Sequence, residues 1–374
     1  MMALSAQQTG SVSAAFDAAR NLQAAGNLEE AKKIYGQILI GIPHHAQSLT
    51  MLSSIAYQQG EDAQAEAYLD RAIDIYREIL PSMPRNLNVR GPLVNLLLAR
   101  NRTAEAQDLC AELLVPLNPI RATSEDFMRR RHAGKDRGLP LILLNTLPKS
   151  ASESIWNRLA EGLGMAQSHL SIGLFPDCSL LPARVQSAAE GGLIAKEHIP
   201  ADSHNLRILS EQGVDRLVFH VRDPRQAALS WAHFVRDDVS MRLMAPIWRK
   251  VVPPRDILRG DFSELLDWCI ERYLAVQIAF IQAWLDVAEG NGTGPSVHFL
   301  SFEHFLSEPE AYIGELLEFF EIDRDRFSED GEAEVVHLRK GQTEEWREIL
   351  SPSQQERAWS MLPRAMVEHF AWQP

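Results

Sequence analysis

Lysine and serine residues directly follow the apolar run in "LPLILLNTLPKSASES" (139–154). A strand, a turn and a helix in succession bring backbone N–H groups and a helix N-terminus to the turn, where they can bind an anion. Lys149 would add a mobile cation suited to a phosphate or a sulfonate. The segment therefore predicts an anion-binding loop, and the alternative interpretation is an ordinary strand end.

A second segment, "LIAKEHIP" (193–200), places Lys196 and His198 two residues apart at the end of another apolar run. Side chains two residues apart point to the same side if the strand continues. Histidine is the usual general base near neutral pH. His198 is therefore a candidate base, and the alternative is a hydrogen-bonded histidine of the core.

Two further segments carry basic residues. In "RDPRQAALS" (222–230), Arg222 closes a strand and Pro224 opens a helix on which Ser230 lies. Arg222 and Ser230 could converge on one anion, or Arg222 could pair with Asp223 and leave the serine on the helix surface. In "HLRKGQTEEW" (337–346), Arg339 and Lys340 precede Gly341, whose backbone N–H can approach a ligand closely. That segment alone would be a basic surface turn.

The predicted strands and helices would position these residues. From Leu139 onward short apolar runs alternate with helical patterns, which predicts an α/β unit with a parallel sheet and ligands at the carboxyl ends of its strands. The predicted strands are 139–146, 191–198, 215–221 and 296–302, and the predicted helices are 153–164, 201–211, 224–234, 263–288 and 308–322.

The N-terminal part, residues 12–126, is predicted to be a series of helices with an internal repeat. Gly26 and Gly60 lie 34 residues apart, as do Ala31 and Ala65, and Ala106 takes the same place in a third copy. A small residue at a fixed place allows two helices to approach closely. The pattern resembles the tetratricopeptide repeat, in which about three units are needed for a stable stack. An irregular helical bundle is the alternative.

The remaining segments complete the predicted organisation. "FMRRRHAGKDRG" (127–138) is predicted to be a solvated basic linker, or a clamp for an acidic partner, and residues 139–374 form the α/β domain. Residues 235–260 interrupt the α/β rhythm with prolines and arginines. They are predicted to form a lid over an acceptor pocket, or a plain surface insertion.

Composition excludes several classes of protein. The formal net charge of −13 over 374 residues argues against a general nucleic-acid binder. Three cysteines without a CxxC pair favour a reducing compartment. We find neither a signal-peptide pattern nor an apolar run long enough to span a membrane, so a cytoplasmic protein is expected. G-x-x-x-x-G-K-[ST] is absent, which disfavours an ATP-hydrolysing enzyme, and no H-x-x-x-H pattern suggests a metal site.

Jointly, the segments resemble the sulfotransferases that use 3′-phosphoadenosine-5′-phosphosulfate (PAPS). "PKSASES" is similar to the family's P-K-S-G-T-T-W loop and "KEHIP" to its K-T-H-L-P segment. "RDPRQAALS" matches R-[DN]-P-x-[DQ]-x-x-x-S, and "RKG" with Trp346 resembles the C-terminal loop. "FEHFLSEPEAYIGELLEFFEI" is similar to the Y-E-D-L-x-x-x-P segment and its helix.

The resemblance implies a P-loop-NTPase-like fold and in-line transfer of a sulfonyl group to a hydroxyl or amine, without a metal. It implies that His198 is the base and that Lys149 and Lys196 neutralise charge on the sulfonyl and the leaving group. The residues implied to bind the 5′-phosphosulfate are Lys149, Ser150, Ala151, Ser152, Glu153 and Ser154, and those for the 3′-phosphate are Arg222, Ser230, Arg339, Lys340 and Gly341.

Four positions depart from the family pattern. Ala151 replaces a glycine, so we expect its backbone to avoid a positive φ. Glu153 replaces a threonine that donates to the phosphate, and a carboxylate there must turn away from an anion. Ser154 replaces the tryptophan that stacks on adenine, with Trp156 two positions away, and Phe302 replaces a tyrosine.

Two other functions remain open at this point: a kinase-like nucleotide-binding enzyme, and a non-catalytic scaffold with a degenerate sulfotransferase domain. The repeats could bind a protein, peptide or glycan acceptor. They could equally mediate homodimerisation or brace the α/β domain.

Overall fold

The computed structural model describes residues 6–84, 86–113, 116–117, 119–120, 122–238, 241, 245, 247–290, 294–328 and 341–374. The chain forms two compact units, each built from two stretches of sequence. The helical unit contains Met1–Ala106 and Phe234–Asp261, and the α/β unit contains Gln107–His233 and Phe262–Pro374. These boundaries differ from the predicted divisions at 126 and 138.

The helices of the first unit and its border are regular. They are α1 (Ala6–Ala24), α2 (Leu28–Gly41), α3 (Ala46–Gln59), α4 (Asp62–Ile79), α5 (Leu87–Ala99), α6 (Thr103–Ala111) and, in the inserted segment 234–261, α12 (Arg255–Arg259).

The repeat predicted from the sequence is present as helix pairs. The turns after α1 and α3 contain Gly26 at φ +85 and Gly60 at φ +84, conformations that glycine adopts without a steric cost. In the third pair Asn101 takes this place at φ 56, since asparagine tolerates the left-handed region. The alanines at the repeated position (Ala31, Ala65 and Ala106) are each 0 % exposed, as expected where two helices approach closely.

The inserted segment belongs to the helical unit, and its role as a lid over an acceptor pocket stays a prediction. The Arg255 guanidinium donates to the backbone carbonyls of Tyr57 and Gln58 at 3.4 and 3.3 Å. Arg249 pairs with Glu66 at 3.1 Å and lies 5.2 Å from the ring centroid of Tyr57. Its arginines thus bind the end of α3 and the start of α4.

The α/β unit alternates strands and helices. Its strands are β1 (Leu141–Thr146), β2 (Ala166–Ser168), β3 (Ser171–Ile172), β4 (Ser179–Leu180), β5 (Leu193–Glu197), β6 (Arg216–Val221) and β7 (Ser296–Ser301). Its helices are α7 (Ser124–Asp136), α8 (Ser152–Leu163), α9 (Pro182–Ala189), α10 (Ser203–Glu211), α11 (Pro224–Asp237), α13 (Phe262–Trp268), α14 (Ala275–Glu289), α15 (Phe302–Ser307), α16 (Pro309–Phe319), α17 (Glu345–Ile349), α18 (Pro352–Met361) and α19 (Arg364–Phe370). A π-helical segment, Cys269–Leu274, joins α13 to α14.

The central sheet has the strand order β2-β5-β1-β6-β7, and its neighbouring strands are parallel. Strands β1 and β5 are buried along their whole length, which explains their continuous apolar sequences. After β1 the chain returns to the β2 edge, whereas after β6 it runs to the β7 edge. The connections after adjacent strands β1 and β6 therefore diverge, and such a crevice is the usual ligand site of open α/β sheets. The predicted fold class, helical repeats followed by an α/β unit with a central parallel sheet, is confirmed.

The segment predicted to be a linker, 127–138, is instead mostly helix α7 of the α/β unit. Arg131 donates to the backbone carbonyl of Ser187, and Lys135 pairs with Glu190 at 2.7 Å. Phe127, Arg131 and Gly134 form its buried face. Residues three or four apart in the basic run thus share the helix face that packs on the unit.

Substituting Gly60 tests how the inserted segment is attached. A Cβ atom at Gly60 would lie 2.1 Å from an Arg255 nitrogen, whereas a Cβ at Gly26 would meet nothing within 4 Å. Both substitutions incur the left-handed backbone cost of about 1–2 kcal/mol. Gly60→Ala should additionally displace Arg255 from its two carbonyls, so it should lower the free energy of unfolding by about 1 kcal/mol more than Gly26→Ala in urea titrations. Equal losses would contradict this attachment.

Candidate active site

The loop between β1 and α8 (residues 147–151) contains two non-glycine residues in left-handed backbone conformations. Lys149 has φ 68 and Ala151 has φ 61, so the expectation that Ala151 would avoid a positive φ is wrong. Ala151 is the N-cap of α8 and provides no side-chain hydrogen bond to its first turn. The first N–H groups of a helix have no intrahelical partner, so this turn is suited to an external anion.

His220, at the end of β6, fixes the loop. Its Nε2 lies 2.7 Å from the backbone oxygen of Ser150, and its Nδ1 lies 2.9 Å from the hydroxyl of Tyr312. Because a carbonyl only accepts, Nε2 carries the proton and Nδ1 accepts from Tyr312. Burial lowers the pKa of His220 to about 4, so it is neutral at physiological pH. A neutral histidine with both nitrogens bonded therefore holds Ser150 in place.

The Ser150 hydroxyl, a predicted anion contact, forms a hydrogen bond within the loop. It donates to the backbone carbonyl of Leu147 at 2.6 Å, and the side chain is fully buried. Ser152 and Ser154 lie in the first turn of α8 and are likewise buried. The Ser150 hydroxyl therefore bonds within the loop rather than facing a ligand.

Arg222 joins the β1 loop to the C-terminal segment. Its two Nη atoms donate to the backbone carbonyls of Lys149 at 2.8 Å and Gln342 at 2.7 Å. Its guanidinium carbon lies 4.2 Å from the ring centroid of Phe302. Arg222 is 7 % exposed and Ser230, on α11, is 9 % exposed. The serine is therefore not on the helix surface.

Asp223 pairs with Arg225, two residues along the chain, at 2.7 Å. Arg225 lies 3.9 Å from the ring centroid of Trp346 and donates to the backbone carbonyl of Gln373 at 2.6 Å. The backbone N–H of Trp346 donates to Gln226 at 3.1 Å. This buried pair thus anchors the C-terminal helices beside the end of β6.

His198 lies just after β5 and is oriented by the end of β1. Its Nδ1 is 2.6 Å from the backbone oxygen of Thr146, so Nδ1 carries the proton and Nε2 carries the lone pair that a general base needs. Burial and the nearby Lys196 lower the pKa of His198 to about 4. The side-chain amide of Asn145 fixes the next residue by bonding both the N–H and the carbonyl of Ile199, at 2.9 and 3.0 Å.

An aromatic cluster borders His198. The ring of Phe175 lies 6.3 Å from that of His198 in an edge contact, and 5.1 and 6.2 Å from those of Phe280 and Tyr273. Tyr273 stacks on Trp231 of α11 at 4.7 Å. The neighbourhood of the candidate base is therefore largely apolar, which explains why its charged form is disfavoured.

Lys196 is directed towards α8. Its Nζ forms an ion pair with Glu153 and lies 5.1 Å from the ring centroid of Trp156, and its side chain is 7 % exposed. The Glu153 carboxylate is therefore paired with a cation, Lys196. Trp156 donates its indole N–H to the Ile194 carbonyl at 3.0 Å and is 1 % exposed, so it is part of the core rather than a surface for adenine.

Glu197, between Lys196 and His198, is a buried carboxylate whose oxygens accept hydrogen bonds. It accepts from the backbone N–H of Leu170 and the hydroxyl of Ser171. Burial raises its pKa, but the hydrogen bond and charge of His169 together with these donors outweigh burial and lower it. Glu197 is therefore an anchor for the end of β5.

The C-terminal loop is described only from Gly341, which has φ +65 as its predicted flexibility allows. Arg339 and Lys340 lie outside the described residues. A cavity of about 680 Å³ beside Gly341 is lined by several carboxylates, among them Glu303 and Glu344. The lining of this cavity is therefore negatively charged on the Glu303 and Glu344 side.

The structure thus brings the loop at Lys149, His198 and Arg222 to one edge of the sheet, while Lys196 faces Glu153. The sequence alone does not identify His220 and Asn145 as positioning residues. Their only signal was a polar residue at the end of an otherwise apolar strand. Among the described residues, no cluster of His, Cys, Asp and Glu could hold a metal, and no helix is long and apolar enough to cross a membrane.

Comparison with known proteins gives a match to a family model and matches to solved structures. A tetratricopeptide-repeat family model matches residues 45–82, which include α3 and α4. The structure of mouse sulfotransferase SULT7A1 complexed with PAP is similar to this chain with a TM-score of 0.41 and 13 % identity, over 66 % of this chain and 93 % of that one. No curated protein matches the sequence.

Replacing His220 tests its positioning role. His220→Ala should leave the Ser150 carbonyl and the Tyr312 hydroxyl unpaired in the core, and should lower the free energy of unfolding by about 2–4 kcal/mol. Tyr312→Phe removes one donor and keeps the bond to Ser150, so it should cost about 1 kcal/mol. Urea denaturation measures both, and equal losses would refute the assignment of Ser150 as the main partner.

Proposed function

We propose that the α/β unit is a PAPS-dependent sulfotransferase that moves a sulfonyl group to a hydroxyl or amine of an acceptor. The observation that carries this proposal is the convergence of three motif segments at the carboxyl ends of adjacent strands β5, β1 and β6. His198 follows β5, the Lys149 loop follows β1, and Arg222 follows β6. These segments carry the resemblance to sulfotransferases.

The donor fits the β1 loop as follows. The 5′-phosphosulfate occupies the N-terminus of α8, where residues Lys149 to Ser154 surround it and Lys149 supplies the charge. In this proposal the 3′-phosphate is bound by Arg222, Ser230, Arg339, Lys340 and the backbone of Gly341. Arg222 contributes mainly by its charge and by holding the loop, because its Nη atoms already bond two carbonyls.

His198 acts on the acceptor. As the acceptor oxygen forms its bond to sulfur, its proton passes to Nε2 of His198, and the bond from sulfur to the bridging phosphate oxygen breaks. The departing nucleotide is 3′-phosphoadenosine 5′-phosphate. The depressed pKa keeps His198 neutral before reaction, so the base is in its active form at physiological pH.

Lys196 has two roles in this proposal. Before donor binding it neutralises Glu153, and in the complex its ammonium group turns to the sulfonyl and the leaving group, as positioned cations do in phosphoryl transfer. Donor binding must therefore displace an internal carboxylate. The same ion pair is the observation that favours the second candidate, a non-catalytic scaffold, in which Glu153 occupies the anion site permanently.

Acceptor substrates are tested by incubating the protein with radiolabelled donor and panels of phenols, amines, peptides and glycans. His198→Ala should lower kcat by at least 10²-fold while binding of 3′-phosphoadenosine 5′-phosphate survives. His198→Asn retains a polar side chain beside Thr146 and should lose as much activity, which separates the proton transfer from the hydrogen bond. Activity near that of the wild type in either variant would show that the base is assigned wrongly.

The internal ion pair gives a prediction about donor affinity. Glu153→Gln removes a negative charge from the first turn of α8 and releases Lys196, so affinity for 3′-phosphoadenosine 5′-phosphate should rise about tenfold. Glu161→Gln is the matched control, because Glu161 lies on the same helix but pairs with Arg130 at 3.0 Å. Calorimetric titration of both variants measures the change, and an unchanged or weaker affinity for Glu153→Gln would exclude competition.

A further inference from the structure

The helical unit contains a pocket that the proposed function does not use. It has a volume of about 320 Å³, and its walls include Gly26 and Leu28 from the turn into α2, Tyr57 near the end of α3, and Leu258 of the inserted segment. This volume is at the lower end of the range for small-molecule sites. The pocket is thus large enough for a ligand of about the size of a substituted benzene ring.

The charge of the pocket contrasts with that of the whole chain. Arg255 and Arg259 both line it, and none of the described residues that line it is acidic. The chain as a whole has a formal net charge of −13. Two guanidinium groups without a carboxylate in the lining suit an oxyanion, to which arginine can donate parallel hydrogen bonds.

Gln23 supplies an independent observation. It lines the pocket, is only 2 % exposed, and its Oε1 accepts from the hydroxyl of Tyr35 at 3.2 Å. Its Nε2 has no hydrogen-bond partner within the described part of the chain. Leaving a buried amide donor unpaired costs about 1–3 kcal/mol. A ligand oxygen at this place would recover that cost.

The two arginines differ in what holds them. Arg255 is fixed by the carbonyls of Tyr57 and Gln58, and by Asp256 at 3.0 Å. Arg259 is exposed at the last position of α12. Arg255 is therefore held in place and its charge is partly offset by Asp256, while Arg259 can move to meet a ligand.

We propose that this pocket binds a small organic anion, whose acidic group is a carboxylate or a monoester of phosphate or sulfate. The acidic group bonds Arg259 and the Nε2 of Gln23, beside the Arg255 guanidinium. The apolar body of the ligand packs against Leu28 and Leu258. The proposal is independent of the reaction assigned to the α/β unit.

Phenyl phosphate is a suitable probe, with benzyl alcohol as its neutral counterpart, in ligand-observed NMR titrations of the full chain. Phenyl phosphate should bind and benzyl alcohol should not. Arg259→Ala should weaken binding about tenfold, since a hydrogen bond to a charged group is lost. Gln23→Glu keeps the acceptor for Tyr35 but replaces the donor by a carboxylate oxygen, so it should abolish binding while thermal unfolding confirms that the chain remains folded.

Lys149→Ala distinguishes this pocket from the α/β site, because it removes the cation of the β1 loop alone. Binding of the probe should be the same in this variant as in the wild type. The proposal is overturned if phenyl phosphate does not bind, if benzyl alcohol binds as well, or if binding is lost in Lys149→Ala and kept in Arg259→Ala and Gln23→Glu.

Discussion

The candidate site depends on the hydrogen bonds that hold the β1 loop in a strained conformation. Lys149 and Ala151 adopt the left-handed backbone that costs a non-glycine residue about 1–2 kcal/mol. The carbonyls of Lys149 and Ser150 are bound by Arg222 and His220, both from the end of β6. Hydrogen bonds from the end of β6 therefore offset the backbone strain of the loop.

A second constraint is that the site contains its own anion. Glu153 lies in the first turn of α8, where a negative charge stabilises the helix, and Lys196 neutralises it. The arrangement satisfies a buried lysine without a ligand, but it places a carboxylate where the proposed donor must bind. His198 has no such conflict, because Asn145 and Thr146 at the end of β1 hydrogen-bond to its segment.

The sequence predicted those features that depend on neighbours along the chain. Apolar runs located the strands, and the repeated Gly26, Gly60 and alanines located the helix pairs. Features set by distant residues could not be predicted. Ala151 accepts a positive φ because residues at the end of β6 bind the loop, and nothing local in the inserted segment reveals that Arg255 binds the end of α3.

Calorimetric titration with 3′-phosphoadenosine 5′-phosphate in the presence of EDTA tests the central claim most directly. A sulfotransferase site recognises the 3′-phosphate and needs no metal, so the nucleotide should bind the full chain, and ATP with magnesium should compete poorly. Binding should be lost in Lys149→Ala. Magnesium-dependent binding of ATP with no binding of the 3′-phosphorylated nucleotide would contradict the account and favour a kinase-like enzyme, and binding of neither would favour a scaffold.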